Sequence, residues 1–389
     1  MPKPKSPKVI ALYIIAGFGH LKPAIALLDQ IKDKYPKIQT EAWDIYADAS
    51  GQSALDKNSL YNRISTHPLY LKFWNRLSSP NSISRFFAKP AQRFDLLSNH
   101  DLKQRFKAAI SQNPNTVFVS THFTPANIAS KALPDQKVFL YVTDIHPHPI
   151  WAIKRKNIIY LVPVQETKEI LISYGIDRNN IKVASFPIHP TLLKNNQQRA
   201  KKRIANLKKE HSTDVLIISG GAGTGRFQME NLLSTFAAPA HDNKVNITYL
   251  ASTMKLRNQL KEYRVTEGLP DSAVEIDTYK PENLYKAMKW AEVMITKAGG
   301  DITFEALAEG LPIYTLKDVG AHEVINRRYL EEVGASRPLE SNVYPWELIH
   351  HDLLTGKLQE MAQASYQAGA FHREANTPRV IFEELGWDI

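Results

Sequence analysis

The chain has 389 residues, more than one ordinary hydrophobic core holds, so two domains are expected. With 43% hydrophobic, 10% aromatic and 23% charged residues it is a folded chain, neither disordered nor collagen-like. The absence of cysteine excludes a disulfide framework, a thiolate zinc site, an iron–sulfur cluster and a cysteine nucleophile, and it fits a reducing compartment.

The net charge of +10 is unevenly spread. Residues 1–209 hold 32 Lys/Arg against 13 Asp/Glu, and residues 210–389 hold 17 against 26, which gives +19 and −9. Such asymmetry points to two domains with different partners, the first facing something anionic. Nucleic acid, an acidic membrane surface and a phosphorylated substrate all satisfy that charge. The apolar run Val9–Ala16 is far shorter than the ~20 residues of a membrane span. It follows Lys3, Lys5 and Lys8 as a signal-peptide core would, yet it leads directly into a Gly-His turn and a helix, so the chain is expected to stay in the cytosol.

In chain order, Val9–Ala16 reads as a buried parallel strand, Gly17-Phe18-Gly19-His20 as the turn after it, and Leu21–Lys34 as a helix. Further strands are expected at Thr116–Ser120, Val138–Val142, Ile158–Val162 and Ile181–Ala184. Between Asp56 and Arg105 aromatic and cationic residues alternate with only weak strand signals. From Lys194 to Lys209 there are seven Lys/Arg and no acid, and the domain joint is placed in this basic linker, dividing 1–193 from 210–389. The last helix is expected to pack back on the first domain. A second strand begins at Val215–Ile218, followed by the Gly-rich turn Ser219–Gly225. Alternating units continue through Val245–Ala251, Val274–Asp277, Val293–Thr296 and Ile313–Thr315, so two successive open α/β domains emerge.

Two segments carry chemistry in the second half. Gly220, Gly221, Gly223 and Gly225 stand between a strand and a helix, where backbone amides approach a phosphate closely. Arg226-Phe227 follows, so this is not the Lys-Ser/Thr phosphate loop of nucleotide hydrolases. In Thr296–Pro312 a strand ends in Lys297-Ala298-Gly299-Gly300 and a helix containing Glu305 begins. An amide-rich helix start with a lysine beside it suits a diphosphate, and a carboxylate suits ribose hydroxyls.

Lys297–Pro312, with Val319-Gly320-Ala321-His322-Glu323 and Asn326, resembles the donor site of lipid-linked UDP-sugar glycosyltransferases of the GT-B fold. Within that group the chain resembles monogalactosyldiacylglycerol synthases and processive diacylglycerol glucosyltransferases. Thr143-Asp144 with His148-Pro149-Ile150-Trp151 is similar to their Thr-Asp…His-Pro-x-Trp segment, and Pro187-Ile188-His189-Pro190 to the element that follows. The resemblance implies two Rossmann-like doubly wound domains facing each other across a cleft. It further implies an inverting transferase that moves galactose or glucose from a UDP-sugar to diacylglycerol at the inner face of a membrane, as a peripheral protein.

Position by position, the resemblance makes Gly19-His20 the Gly-His of the first loop, with His20 the catalytic base. Gly220, Gly221 and Gly223 become the glycine loop at the donor diphosphate, and Tyr279 the aromatic beside the uracil. Lys297, Gly299 and Gly300 cap the phosphates, Glu305 takes the ribose, and His322 and Glu323 face the sugar. Two departures stand out: Gly17-Phe18-Gly19-His20 replaces Gly-Gly-Gly-His, with Leu21 in place of Arg, and His322-Glu323 replaces a Gln-Glu pair.

Lys297 and helix N-termini are able to stabilise a leaving diphosphate without a metal, and the chain contains no Asp-x-Asp. No metal or other cofactor is therefore expected. A histidine of ordinary pKa, about 6.5, suits removal of the acceptor hydroxyl proton, and Asp144 is the candidate to orient a histidine or support its loop. Tyr70, Lys72, Phe73, Trp74, Arg76 and Arg85, together with Trp151, are the expected contacts to acceptor and anionic membrane. Nucleic acid is not an expected partner, because no RNA-binding module is recognisable. Three other readings stay open. His20–Ala26 looks closer to the N-acetylglucosaminyltransferase that makes lipid II, which uses a polyprenyl-linked acceptor. UDP-sugar epimerases share the two-domain architecture. The altered Gly17-Phe18-Gly19 loop fits a non-catalytic nucleotide-sugar-binding membrane protein.

Overall fold

The computed structural model describes residues 6–15, 19–45, 100–208, 211–218, 231–316, 321–339 and 344–388, excluding the side chains of residues 100, 321 and 322. The chain divides into two units. Unit 1 comprises residues 1–190, 320–322 and 372–389, and unit 2 comprises residues 191–319 and 323–371.

Unit 1 is built on a parallel sheet of β1 (Lys8–Tyr13), β2 (Gln39–Asp44), β3 (Thr116–Ser120), β4 (Val138–Tyr141), β5 (Ile158–Val162) and β6 (Ile181–Val183). The strands lie in the order β2-β1-β3-β4-β5-β6. Unit 2 repeats the plan with β7 (Thr213–Ile218), β8 (Val245–Ala251), β9 (Val274–Thr278), β10 (Val293–Thr296), β11 (Ile313–Thr315) and β12 (Ser336–Pro338), ordered β12-β11-β10-β7-β8-β9. Every pairing in both sheets is parallel. Parallel strands are covered on both faces and so read as continuous apolar runs; every residue of β3, β4 and β5 is buried.

Two of the strands were not anticipated from sequence. Strand β2 (Gln-Thr-Glu-Ala-Trp-Asp) lies at one edge of its sheet and is only partly buried, and β12 is three residues long at the edge of the other. Edge strands need little apolar sequence, so the pattern that marks central strands is missing from them.

The strand orders place the functional ends. From β1 the chain steps to β2 on one side and later to β3 on the other; from β7 it runs outward through β8 and β9, then returns to β10 on the other side of β7. At such reversals connections leave in opposite directions, and the carboxyl ends of the two central strands open a crevice. The β1/β3 and β7/β10 ends are therefore the places to look for ligands.

The helix Leu21–Lys34 follows β1 and buries Ala24, Leu27, Leu28 and Ile31 on one face. Its Pro23 sits in the first turn, where no intrahelical N–H is lost. At its other end Lys34 donates to the carbonyls of Glu374 and Ala375 at 3.1 and 3.0 Å, and Tyr35 meets Phe382 edge-on at 4.9 Å. The helix Thr377–Leu385 thus packs within unit 1. The buried His372 supports it by accepting the Phe186 N–H at 3.0 Å.

Residues 194–208 correct the expectation of a basic linker. Most of this stretch is the helix Asn196–Asn206, which belongs to unit 2. Arg199 and Arg203 both turn inward onto Glu309, whose side chain is fully buried. Arg203, 4% exposed, also donates to the carbonyls of Ala291, Met288 and Glu309. Two of the seven cations therefore neutralise a buried carboxylate and cap carbonyls, and the division between units falls after Pro190 instead.

Candidate active site

At the first reversal, His20 follows β1 and Ser120-Thr121-His122 closes β3. His20 Nδ1 lies 2.7 Å from the Thr121 carbonyl oxygen, and the Thr121 hydroxyl donates to the His20 carbonyl at 2.7 Å. A carbonyl only accepts, so Nδ1 is the donor, and in the neutral form of the ring the lone pair is on Nε2. The His20 ring meets His122 edge-on at 4.8 Å and Trp151 at 6.1 Å. Phe123 completes the group, 4.1 Å from His122 and 5.7 Å from Trp151. Burial, with His20 adding to it, holds the His122 imidazole well below its usual range, so this ring is neutral.

Trp151 differs from its expected membrane role. It is 4% exposed, in the 3-10 turn Pro149–Trp151, and its ring packs in the histidine cluster. Tyr160, fully buried in β5, fixes that turn: its hydroxyl accepts the Ile153 N–H at 2.7 Å and lies 2.8 Å from the Trp151 carbonyl. His148 caps the same turn through the Ile150 N–H at 3.2 Å. Asp144 is half-buried and acts on His146, whose pKa burial lowers and Asp144 raises. His146 Nε2 is buried with no hydrogen-bond partner.

At the second reversal, β10 ends in buried Thr296, buried Lys297 follows it, and the helix Gly300–Glu309 starts after the N-cap Gly299. Burial lowers the Lys297 pKa, opposed by the Glu323 carboxylate. Asn326, three residues beyond Glu323 on the helix Ala321–Glu332, is fully buried and donates to the Ala298 carbonyl at 2.9 Å. Asn326 therefore ties the helix Ala321–Glu332 to the turn. Among the described residues a Cβ on Gly299 would meet nothing closer than 3.5 Å, and one on Gly19 nothing within 4 Å. Gly369 is the opposite case: its Cβ would stand 2.1 Å from the Leu307 carbonyl oxygen, so the helix Lys357–Ala368 lies flush against Gly300–Glu309.

Glu305 is 3% exposed, one turn before Glu309, in a helix that is buried from Ile302 to Glu309. Tyr279 leaves the end of β9 half-buried, and its N–H bonds the Ala251 carbonyl at the end of β8 at 2.7 Å. Gly19, His20 and Trp151 therefore gather in unit 1, and Lys297, Gly299, Gly300, Glu305 and Glu323 around one helix in unit 2. Gly220, Gly221, Gly223, Tyr70, Lys72, Phe73, Trp74, Arg76 and Arg85, and the His322 side chain, lie outside the described residues. Sequence reasoning passed over His122, Thr121 and Tyr160. The signal for the first two was their place after β3, the strand paired with β1 across the reversal.

Two doubly wound parallel sheets with these reversals define a two-domain α/β architecture of the GT-B kind. The UDP-N-acetylglucosamine 2-epimerase of Neisseria meningitidis, solved bound to UDP-GlcNAc, shares it with a TM-score of 0.60 at 14% identity, covering 97% of this chain and 99% of that one. MurG of Acinetobacter baumannii shares it with a TM-score of 0.58 at 14% identity, covering 98% and 99%. Residues 20–188 match the family model of monogalactosyldiacylglycerol (MGDG) synthase. The chloroplastic MGDG synthase of Spinacia oleracea is 24% identical over 359 residues, 87% of this chain and 65% of that protein. The processive diacylglycerol β-glucosyltransferase of Bacillus pumilus is 26% identical over 215 residues, 54% of this chain and 52% of that protein. The chain is thus similar to MGDG synthases and processive diacylglycerol glucosyltransferases, and it spans about half to two thirds of the length of the curated relatives it matches.

Proposed function

We propose that the chain is an inverting glycosyltransferase that moves galactose or glucose from a UDP-sugar to diacylglycerol at a membrane surface, without a metal. The observation that carries this reading is His20. It stands at the β1/β3 reversal with its Nδ1 2.7 Å from the Thr121 carbonyl oxygen, and the match to the MGDG synthase family begins at this residue.

In the proposed reaction His20 Nε2 takes the proton of the acceptor hydroxyl. The oxygen attacks the anomeric carbon of the sugar, and the bond from that carbon to the diphosphate oxygen breaks as the new bond forms. The electron pair leaves with UDP, whose charge is met by Lys297 and the amides that open the helix Gly300–Glu309. Glu305 and Tyr279 are assigned to the ribose and the uracil, and Glu323 to the sugar. The acceptor is assigned to unit 1, where the basic and aromatic stretch 56–105 supplies charge and rings for an anionic bilayer surface. Among the described residues no helix is long and apolar enough to cross a membrane.

Incubating the protein with membranes and each labelled UDP-sugar tests the proposal: a labelled glycosyldiacylglycerol is expected, and its absence with every donor overturns it. Likeness to a UDP-GlcNAc-bound epimerase over nearly the whole chain favours one second reading, interconversion of UDP-sugars. That activity needs neither lipid nor acceptor, so isomerised UDP-sugar formed by the protein alone would replace the transferase reading.

A further inference from the structure

We propose that His122 is a positioning residue for His20, its ring serving as the wall that keeps Nδ1 of His20 on the Thr121 carbonyl and leaves the lone pair on Nε2. This inference rests on the reading of His20 as the base. Neither the sequence pattern nor the family resemblance assigned His122 a role.

Three contacts hold His122 before it touches His20. Its N–H donates to Ser120 Oγ at 3.2 Å, its carbonyl accepts from the same hydroxyl at 2.6 Å, and its Nδ1 accepts the Thr124 N–H at 3.2 Å. The last bond makes His122 the N-cap of the helix Phe123–Ala132 and fixes the orientation of its ring. With Nδ1 accepting, the proton of the neutral ring is on Nε2. Phe123 lies against it at 4.1 Å, and the side chain is 5% exposed, so the ring has nowhere to turn.

That fixed ring stands nearly perpendicular to His20, at 85° and 4.8 Å between centroids. The adjacent residue, Thr121, grips the His20 backbone carbonyl with its hydroxyl and Nδ1 with its own carbonyl. The dipeptide Thr121-His122 therefore holds His20 at its main chain, at one ring nitrogen and against one side of the ring. Without the wall the imidazole can turn about its Cβ–Cγ bond, and the Nδ1–H bond to Thr121 is no longer enforced. Because burial keeps His122 uncharged, the wall places no positive charge beside a group that must accept a proton.

The cap and the wall are separable. His122→Asn keeps a side-chain oxygen for the Thr124 N–H and removes the ring; His122→Phe keeps an aromatic edge and gives up the cap. In the full chain with 15N-labelled histidine, imidazole nitrogen shifts should show wild-type His20 as the Nδ1–H tautomer. His122→Asn should show a mixture of tautomers with a melting temperature close to wild type. Its turnover should be about tenfold lower in the lipid-glycosylation assay at unchanged KM, the pattern of a misoriented group. His122→Phe should retain the single tautomer and melt lower; if it does not fold, His122→Asn alone decides. A wild-type His20 tautomer in His122→Asn overturns the inference. A mixed tautomer with unchanged turnover upholds the positioning role and instead removes His20 from the chemistry, so the two failures are told apart.

Discussion

The two units use one scaffold for opposite electrostatic tasks. Each has six parallel strands with a reversal beside its first strand, and each places a glycine just after a strand at that reversal. At the β1/β3 end the walls are rings, His20, His122, Phe123 and Trp151, with His122 kept neutral by burial. At the β10 end the wall is a buried lysine and the start of a helix packed tightly from behind. The net charges run the other way, with the +19 half holding the ring cluster and the −9 half the cationic turn. A ligand within a few ångströms responds to the local group, while net charge acts at long range and on surfaces. The comparison teaches that the balance of a domain does not reveal the sign of its site.

The largest expected effect breaks the comparison at its ring end. His20→Ala should lower transfer by roughly 10²–10⁴-fold while UDP affinity, measured by calorimetry, stays at the wild-type value. Near-normal turnover in that variant would remove the base from unit 1. A second experiment loosens the support of the cationic end. Arg203→Ala strips Glu309 of one of two arginines and leaves three carbonyls without their donor, which should cost about 3–5 kcal/mol in chemical denaturation. A loss below about 1 kcal/mol would mean that the helix Asn196–Asn206 is a solvated segment after all.

Acid pH distinguishes the units further. Burial draws the His372 imidazole down to about 3, from an ordinary value of 6.5, with Arg373 adding to the effect. Between those values the unfolded chain takes up a proton that folded unit 1 refuses. The contribution of His372 is therefore complete above pH 6.5 and is lost as pH falls toward 3, at ~1.4 kcal/mol per pH unit. His372→Gln should reduce the pH dependence of unfolding by one proton between pH 7 and 5; an unaltered slope would contradict the assignment.

Smaller effects probe the donor and the surface. Lys297→Ala and Glu305→Ala should each weaken UDP binding about tenfold or more, the value of a lost charged hydrogen bond of ~1.5–3 kcal/mol. Unchanged affinity in both would empty the second site of its proposed ligand. Binding to anionic vesicles should fall with salt and with Lys72, Arg76, Arg85 and Lys89 changed together to Gln, while UDP affinity is spared. Equal flotation of that variant and wild type would return the basic stretch to a solvated face.

Much of the fold was written in local sequence. Runs such as Thr-Val-Phe-Val-Ser and Ile-Ile-Tyr-Leu-Val are strands because a strand buried on both faces tolerates little else, and they appear in the structure as β3 and β5. The same holds for Leu21–Lys34, whose apolar spacing and first-turn proline suffice for a helix. The placement of His20 and Lys297 was legible as well, since a polar residue in the turn that follows such a strand stands at its carboxyl end wherever the sheet goes.

Tertiary structure decided what depends on neighbours distant in sequence. The edge strands β2 and β12 exist because a partner strand offers hydrogen bonds, not because their residues demand it. Arg199 and Arg203 look like solvent-facing cations until Glu309, over 100 positions later, is folded against them. Trp151 looks like a membrane ring until β5 supplies the Tyr160 hydroxyl that fixes its turn beside His20. His122 acquires its place only when β3 pairs with β1, for that pairing brings two turns 101 residues apart to a 2.7 Å hydrogen bond. Local pattern specifies which way a segment folds; only packing selects which segments meet, and the character of a side chain follows from what it meets.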